Sequence, residues 1–158
     1  MNREALAAQL RLDEGVKLTA YLDTRRNVTV GVCHLVLPRD HIHLGQVITE
    51  AQCQAFLDAD IDAALATCRT VWGPAWETYP ETVQEVTTSM SFNLGLHRLR
   101  TFVMFIHAVQ MRDWPRAAGH MQASLWHQQV GARAERLVTR MRAVEESEGS
   151  HGKASTGT

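Results

Sequence analysis

Apolar and polar positions along the first 72 residues change period twice. In 2–14, Leu6 and Leu10 stand four apart with Glu14 at the next step, the spacing of one helix face. Asn2 is placed to cap that helix, and Gly15 to stop it in the C′ position. From Leu18 to Val32 the pattern turns to β-branched and aromatic residues interrupted by "DTRRN", which predicts a hairpin. "HIHLGQVI" then reads as a short third strand or an irregular return. "TEAQ" at 49–52 is a capping box, with Thr49 as cap and Gln52 three residues on. Behind it Cys53, Phe56, Leu57, Ile61, Ala64, Leu65 and Cys68 recur at three and four, predicting a helix of about 20 residues that Gly73-Pro74 ends.

Everything after Pro74 reads helical: 81–93 stopped by Gly95, 98–112, 115–124 opened by Pro115, and 132–145. Met90, Phe92, Phe102, Met104 and Phe105 mostly fill core positions, with Phe92 the one expected at a surface. Trp114 and Trp126 read as packing anchors. No repeat appears, and "EESEGSHGKASTGT" has the small, polar composition of a disordered tail. The fold class expected is α+β and predominantly α. It has a small lobe at about 15–60 with a hairpin or three-stranded sheet, a long connecting helix, a helical lobe at about 70–144 joined by helix 1, and a tail at 145–158. Two such lobes predict a cleft, with the stretch after Gly15 on its wall.

Composition supports a folded core, since 45% of residues are hydrophobic and 21% charged. No apolar run reaches the length of a membrane span, so no stable membrane insertion is expected. The N-terminus carries charges throughout and no apolar run of secretory type. The expected site of synthesis is therefore the cytoplasm, and work outside it would need another exit route. Cys53 and Cys68 on one helix would lie roughly 22 Å apart, beyond disulfide reach. With Cys33 they read as reduced, mostly buried thiols that match no zinc pattern. His41 and His43 would share one side of an extended strand but lack a third convergent ligand, so neither a metal nor any other cofactor is expected.

Net charge is −1, and splitting it by region changes the picture. Residues 1–97 hold 7 Lys/Arg against 12 Asp/Glu, whereas 98–142 hold 8 Arg against Asp113 and Glu135. The second half is a basic surface suited to a polyanion, with an anionic cell wall preferred over nucleic acid for want of any nucleic-acid motif. Arg136, Arg140 and Arg142 read as a solvated face.

The chemistry is concentrated in "LDEGVKLTAYLDTRRNVTVGVCHL", residues 12–35. Glu14 at the C-terminal end of a helix meets the negative pole of the macrodipole, which favours its neutral form, as a general acid requires. Asp23 on a strand end would stay ionised and act on a water, which Thr29 across the hairpin could orient. Two carboxylates about 6.5–9.5 Å apart with water between them give inversion at an anomeric carbon.

Glu14, Asp23 nine residues on, Thr29, Gly31 and His34-Leu35 resemble the signature of the phage-type lysozymes, glycoside hydrolase family 24, the family of the T4 lysozyme. "DADIDAAL", "SMSFNLG", "MRDWPRAA" and "SLWHQQVGARAERLV" follow in the order of that family, so the resemblance runs from Met1 to about Arg142. It implies a lysozyme domain over 1–144 and cleavage of the β-1,4 bond between N-acetylmuramic acid and N-acetylglucosamine of bacterial peptidoglycan. It implies Glu14 as proton donor, Asp23 as the carboxylate assisting water and Thr29 as the water-orienting hydroxyl. Leu35, Phe92, Phe105 and His120 would contact sugar. Arg133 would pair with Glu14, and His34 with Asp60. It further implies a monomer that lyses a host cell from within, reaching the wall through holin lesions.

Two departures from that pattern stand in the hairpin. Arg26 replaces a glycine whose turn needs positive φ, and the neighbouring Asn27 is expected to take that conformation instead. Cys33 replaces the second glycine of the usual Gly-x-Gly-His run. The alternative these two favour is a nonhydrolytic lysozyme-fold module that binds wall or a protein partner.

Overall fold

The computed structural model describes the backbone of residues 1–151 and the side chains of 1–144. Helix α1 is Arg3–Glu14, capped by Asn2, whose side chain accepts from the Ala5 amide at 3.0 Å. Strands β1 (Lys17–Leu22), β2 (Val28–Gly31) and β3 (His34–Leu35) follow, then a 3₁₀ turn at Pro38–Asp40 and the long helix α2 (Glu50–Trp72). A second 3₁₀ turn, Gly73–Thr78, leads to α3 (Glu81–Leu99), α4 (Val103–Gln110), α5 (Trp114–Gln122), α6 (Leu125–Val130) and α7 (Ala132–His151). The fold is predominantly α with one small antiparallel sheet, ordered β1-β2-β3.

Two compact units divide the chain, one of residues 2–65 and one of Met1 with the described residues from 66 on. The first holds α1, the sheet and most of α2. Its core is Leu6, Leu10, Val30, Val32, Leu57 and Ile61, which the hairpin's alternation and the spacing of α2 turn inward. Sequence analysis counted α1 with the helical lobe, whereas the structure groups it here. Arg3 reaches Asp58 and Asp62 of α2, and Arg11 pairs with Glu50. The expected capping box opens α2: Gln52 N donates to Thr49 Oγ1 at 3.1 Å, and Thr49 N donates to Gln52 Oε1 at 2.9 Å. The "HIHLGQVI" segment is the irregular return, held along β1 by main-chain bonds from Ala20 N to Gln46 O, Gly45 N to Ala20 O and Ile48 N to Leu18 O, with a bridge between Thr19 and Val47.

The second unit buries four tryptophans, Trp72, Trp76, Trp114 and Trp126. A buried indole needs a partner for its N–H. Trp76 donates to Thr87 Oγ1 at 3.0 Å, and Trp126 donates to Asn93 Oδ1 at 3.0 Å. Gly95, at φ 67 and ψ 170, leaves helical geometry where the stop was expected, so α3 is two helical pieces joined across it. The expected helix 98–112 is split, because Phe102 at ψ 53 leaves helical geometry before α4 begins. Helix α6 was not anticipated; Ser124 caps it, accepting from the His127 amide at 3.2 Å. Arg140, expected on a solvated face, pairs with Glu85, while Arg142 donates to Gln122 at 2.9 Å. Helix α7 runs through His151, past the start of the expected tail, and 152–158 lie outside the described residues.

Candidate active site

Glu14, Asp23, Thr29 and Leu35 all belong to the first unit, where local backbone chemistry sets each one. Glu14 is the last residue of α1, and Gly15 at φ 73 turns the chain at once into β1. Asp23 opens the β1–β2 loop and organises it. Its Oδ1 accepts from the Arg25 and Asn27 amides, both at 2.8 Å, and its Oδ2 accepts from Asn27 Nδ2 at 3.3 Å. The Asn27 amide above all, with the Arg25 amide and charge, holds the Asp23 carboxyl below its ordinary range, so it is a carboxylate at neutral pH. The tight loop forces one residue into the left-handed region. That residue is Arg26 itself, at φ 65, and not Asn27 as expected: both Asn27 N and Nδ2 are engaged by Asp23, which fixes the turn in register.

Thr29 is buried, and its Oγ1 donates to the Asn27 carbonyl at 3.3 Å. In the sheet it stands opposite Tyr21 on one side and Leu35 on the other. Directly opposed residues share a face, so Tyr21, Thr29 and Leu35 form one cross-strand row. Leu35 is 50% exposed. Tyr21 was missed. Burial first, then the Cys33 thiol, Asp23 and Glu14, push its phenol up to about 12, so it is a protonated donor among these groups. Lys17 Nζ lies 4.2 Å from the centre of its ring. The signal was its register opposite Thr29. Cys33 also takes positive φ, 57°, and sets Sγ 4.0 Å from the Glu14 carbonyl oxygen.

His34 makes the expected pair, Nδ1 to Asp60 Oδ2 at 2.8 Å. A second carboxylate was not foreseen: Asp40 Oδ2 stands 3.2 Å from Nε2 and also accepts from the Leu37 amide at 2.6 Å. The sequence signal was the Pro38 turn, whose third residue is this acid. The imidazole stacks on Phe56 at 4.2 Å between centroids. Burial pulls the His34 ring toward neutrality, but Asp60 and Asp40 outweigh it and raise its pKa above 6.5.

Phe92, Phe105, His120 and Arg133 belong to the second unit. Phe92 is half-buried on α3. Phe105 is only 1% exposed, its ring edge-on to Trp72 at 6.1 Å, which corrects its assignment to sugar contact: a side chain enclosed this way has no face to offer. His120 is half-buried beside an open depression of about 300 Å³ that Phe105 also borders, and its Nε2 is buried without a hydrogen-bond partner among the described residues. Arg133 is buried on α7 and donates to the Ser89 carbonyl at 3.3 Å and to its hydroxyl at 3.2 Å.

A helix-terminal glutamate, a loop-clamped aspartate and a strand threonine on a predominantly α fold with one small sheet define a protein of the lysozyme-like class. The chain belongs to the phage lysozyme family, whose model matches residues 12–145. Among curated relatives it is 27% identical over 155 residues to the "Pre-baseplate central spike protein Gp5" of Enterobacteria phage T4, a match that covers 85% of this chain and 27% of that protein. It thus spans about a quarter of the length of that relative. It is 24% identical over 153 residues to "Probable T4-type lysozyme 1" of Dictyostelium discoideum, covering 82% and 89% of the two chains. For "Probable T4-type lysozyme 2" of the same organism the values are 20% over 156 residues, 85% and 92%. Membership of this family supports a peptidoglycan-lysing, muramidase-type function in general terms.

Proposed function

We propose that this protein is an N-acetylmuramidase that hydrolyses the β-1,4 bond between N-acetylmuramic acid and N-acetylglucosamine in bacterial peptidoglycan. The observation that carries the reading is the clamp on Asp23. Two main-chain amides fix Oδ1 and keep the group ionised, while among the described residues Oδ2 has only the longer bond from Asn27 Nδ2. In the proposed reaction Glu14 gives its proton to the glycosidic oxygen as the bond to the anomeric carbon breaks. A water attacks that carbon from the other face and loses its proton to Asp23. Thr29 spends its hydroxyl hydrogen on the Asn27 carbonyl, so its lone pairs are left to accept a hydrogen from that water and aim it. Leu35, Phe92 and His120 are proposed sugar contacts, and His34 with Asp60 and Asp40 braces the strand that carries Leu35. Arg133 is kept as a supporting residue.

The biological setting proposed with it is lysis of a host cell at the end of phage infection, with passage to the wall through holin lesions. The alternative, a nonhydrolytic wall-binding or protein-binding module, draws support from the left-handed backbone at Arg26 and Cys33. A turbidity assay on purified peptidoglycan with wild type beside Glu14→Gln separates the two. Glutamine keeps size but donates no acidic proton, so lysis should fall by at least roughly 10²-fold. Equal activity of the two proteins would sink the assignment of Glu14, and no lysis by wild type would favour the binding module. The anomer released reports whether the reaction inverts.

A further inference from the structure

Helix α4 departs from the pattern of a surface helix, which turns apolar residues to the core and charged ones to water. Its sequence, VMFIHAVQ, contains no Asp, Glu, Lys or Arg. Phe105, Ala108 and Val109 are buried. Val103, Met104, His107, Gln110 and the C-cap Met111 fall together on another face by the helical step, and all five are exposed. Spacing alone places Met104 in the core, whereas it is 51% exposed, with Val103 at 65% and Met111 at 67%. Among the described residues the second unit exposes four large apolar side chains, and three of them stand on this one face.

The fourth, Leu125, extends the patch. Leu125 and Arg98 border an open depression with Thr101 and Phe102, and Val103 and Met104 border the next with the same two residues. The surroundings are basic. Residues 86–112 contain no Asp or Glu, and Arg98, Arg100 and Arg112 lie among them. Arg112 is held by Thr78 Oγ1 at 2.6 Å and by the ring of Tyr79. Among the described residues Arg98 and Arg100 have no carboxylate partner. The first acid after α4, Asp113, is spent capping α5 through the Arg116 amide at 3.1 Å.

Size and charge together select the occupant. An eight-residue helix is about 12 Å long and roughly 10 Å wide, a footprint on the order of 100 Å². A stable protein interface covers roughly 800 Å² on each partner, so a second copy of the chain is poorly served by this face. A bilayer needs far less. A few apolar side chains enter the headgroup boundary while neighbouring guanidiniums meet lipid phosphate. We infer that the outward face of α4, with Arg98 and Arg100 beside it, docks this protein on membranes rich in anionic phospholipid. The docking requires nothing of Glu14, Asp23 or Thr29, so it stands or falls apart from the muramidase reading.

The test is co-sedimentation of the full chain with vesicles of phosphatidylglycerol and phosphatidylcholine, and with vesicles of phosphatidylcholine alone. Wild type is compared with Met104→Gln/Met111→Gln and with Arg98→Gln/Arg100→Gln. Glutamine is a good helix former and both methionines are exposed, so circular dichroism should match wild type. A basic side chain near an anionic surface strengthens binding about fivefold, so the arginine pair should lose roughly 25-fold. Wild type should favour the anionic vesicles by at least about tenfold, and the methionine pair should lose about as much. No sedimentation with anionic vesicles, equal binding to the two compositions, or unchanged binding in either variant would overturn the docking surface. So would a dimer in analytical ultracentrifugation that the methionine variant dissolves, which assigns the face to a second copy. Weaker binding of that variant to purified peptidoglycan, with vesicle binding intact, would assign it to the wall instead.

Discussion

Replacing His34 by leucine removes both ring nitrogens while leaving an apolar group against Phe56. The side chain is 8% exposed in the native protein, so its two carboxylate partners lose a ligand that water cannot fully replace. Asp40 would keep the Leu37 amide and, at 4.0 Å from Oδ1, the exposed Arg39, and loss of a charge-assisted bond at so enclosed a site costs about 1.5–3 kcal/mol. Asp60 is 31% exposed, recovers water, and adds at most about 1 kcal/mol. The expected loss is therefore about 2–4 kcal/mol where the imidazole is charged. Its pH dependence has a definite sign. The folded-state pKa of His34 is raised above 6.5, so its contribution is whole below about 6.5 and fades as pH climbs through the folded value. Asp40 works in the opposite sense. Its pKa is lowered from 3.8, so its contribution holds above that value and is lost as pH falls through the folded one. Urea melts of wild type and His34→Leu at about pH 6 and pH 9 should give the larger penalty at the lower pH. A penalty under about 1 kcal/mol at pH 6, or equal penalties at both, would refute the bridging role.

Thiol labelling of the native protein should mark Cys33 and spare Cys53 and Cys68, which are buried in α2, whereas denatured protein without reductant should titrate three thiols; fewer than three would mean a disulfide. Cys33→Gly should stabilise by about 0.5–1 kcal/mol in chemical denaturation, since left-handed strain of about 1–2 kcal/mol exceeds the chain entropy that glycine adds; a loss would show that the Sγ contacts outweigh the strain. Phe105→Ala should cost about 3–5 kcal/mol in melts, while Leu35→Ala should stay within about 1 kcal/mol and raise KM on peptidoglycan. Similar melts for the two would contradict their burial.

Periodicity made the long elements legible. The spacing from Cys53 to Cys68 and the Thr49–Gln52 box located α2, because an amphipathic helix with a side-chain cap leaves both marks in one window. Short elements left weaker marks. Helix α6 is six residues long, under two turns, and only Ser124 announced it. The break at Phe102 had no glycine or proline to signal it. In the site, Glu14, Asp23 and Thr29 were nominated by a spacing that resembles the family's, and the resemblance also named the His34–Asp60 contact. Tyr21 and Asp40 were not, because their roles follow from strand register and from a turn that brings the acid back to His34. Helical spacing read Phe105 as core, where the structure buries it; its sugar contact came from the resemblance alone.

The clamp on Asp23 separates two things that protein engineers usually find tied together. Its strongest grips are main-chain amides of Arg25 and Asn27, so the carboxylate's position is written in the path of the loop and hardly at all in the side chains of Thr24, Arg25 and Arg26. Those three positions can be rewritten, with glycine or asparagine preferred at 26, while the carboxylate keeps its position. Arg26 also lines a groove shared with Leu35, so the same rewriting reshapes that surface while the Asp23 carboxylate stays in place. A library confined to 24–26 is thus a route to retargeting this scaffold to walls of different chemistry.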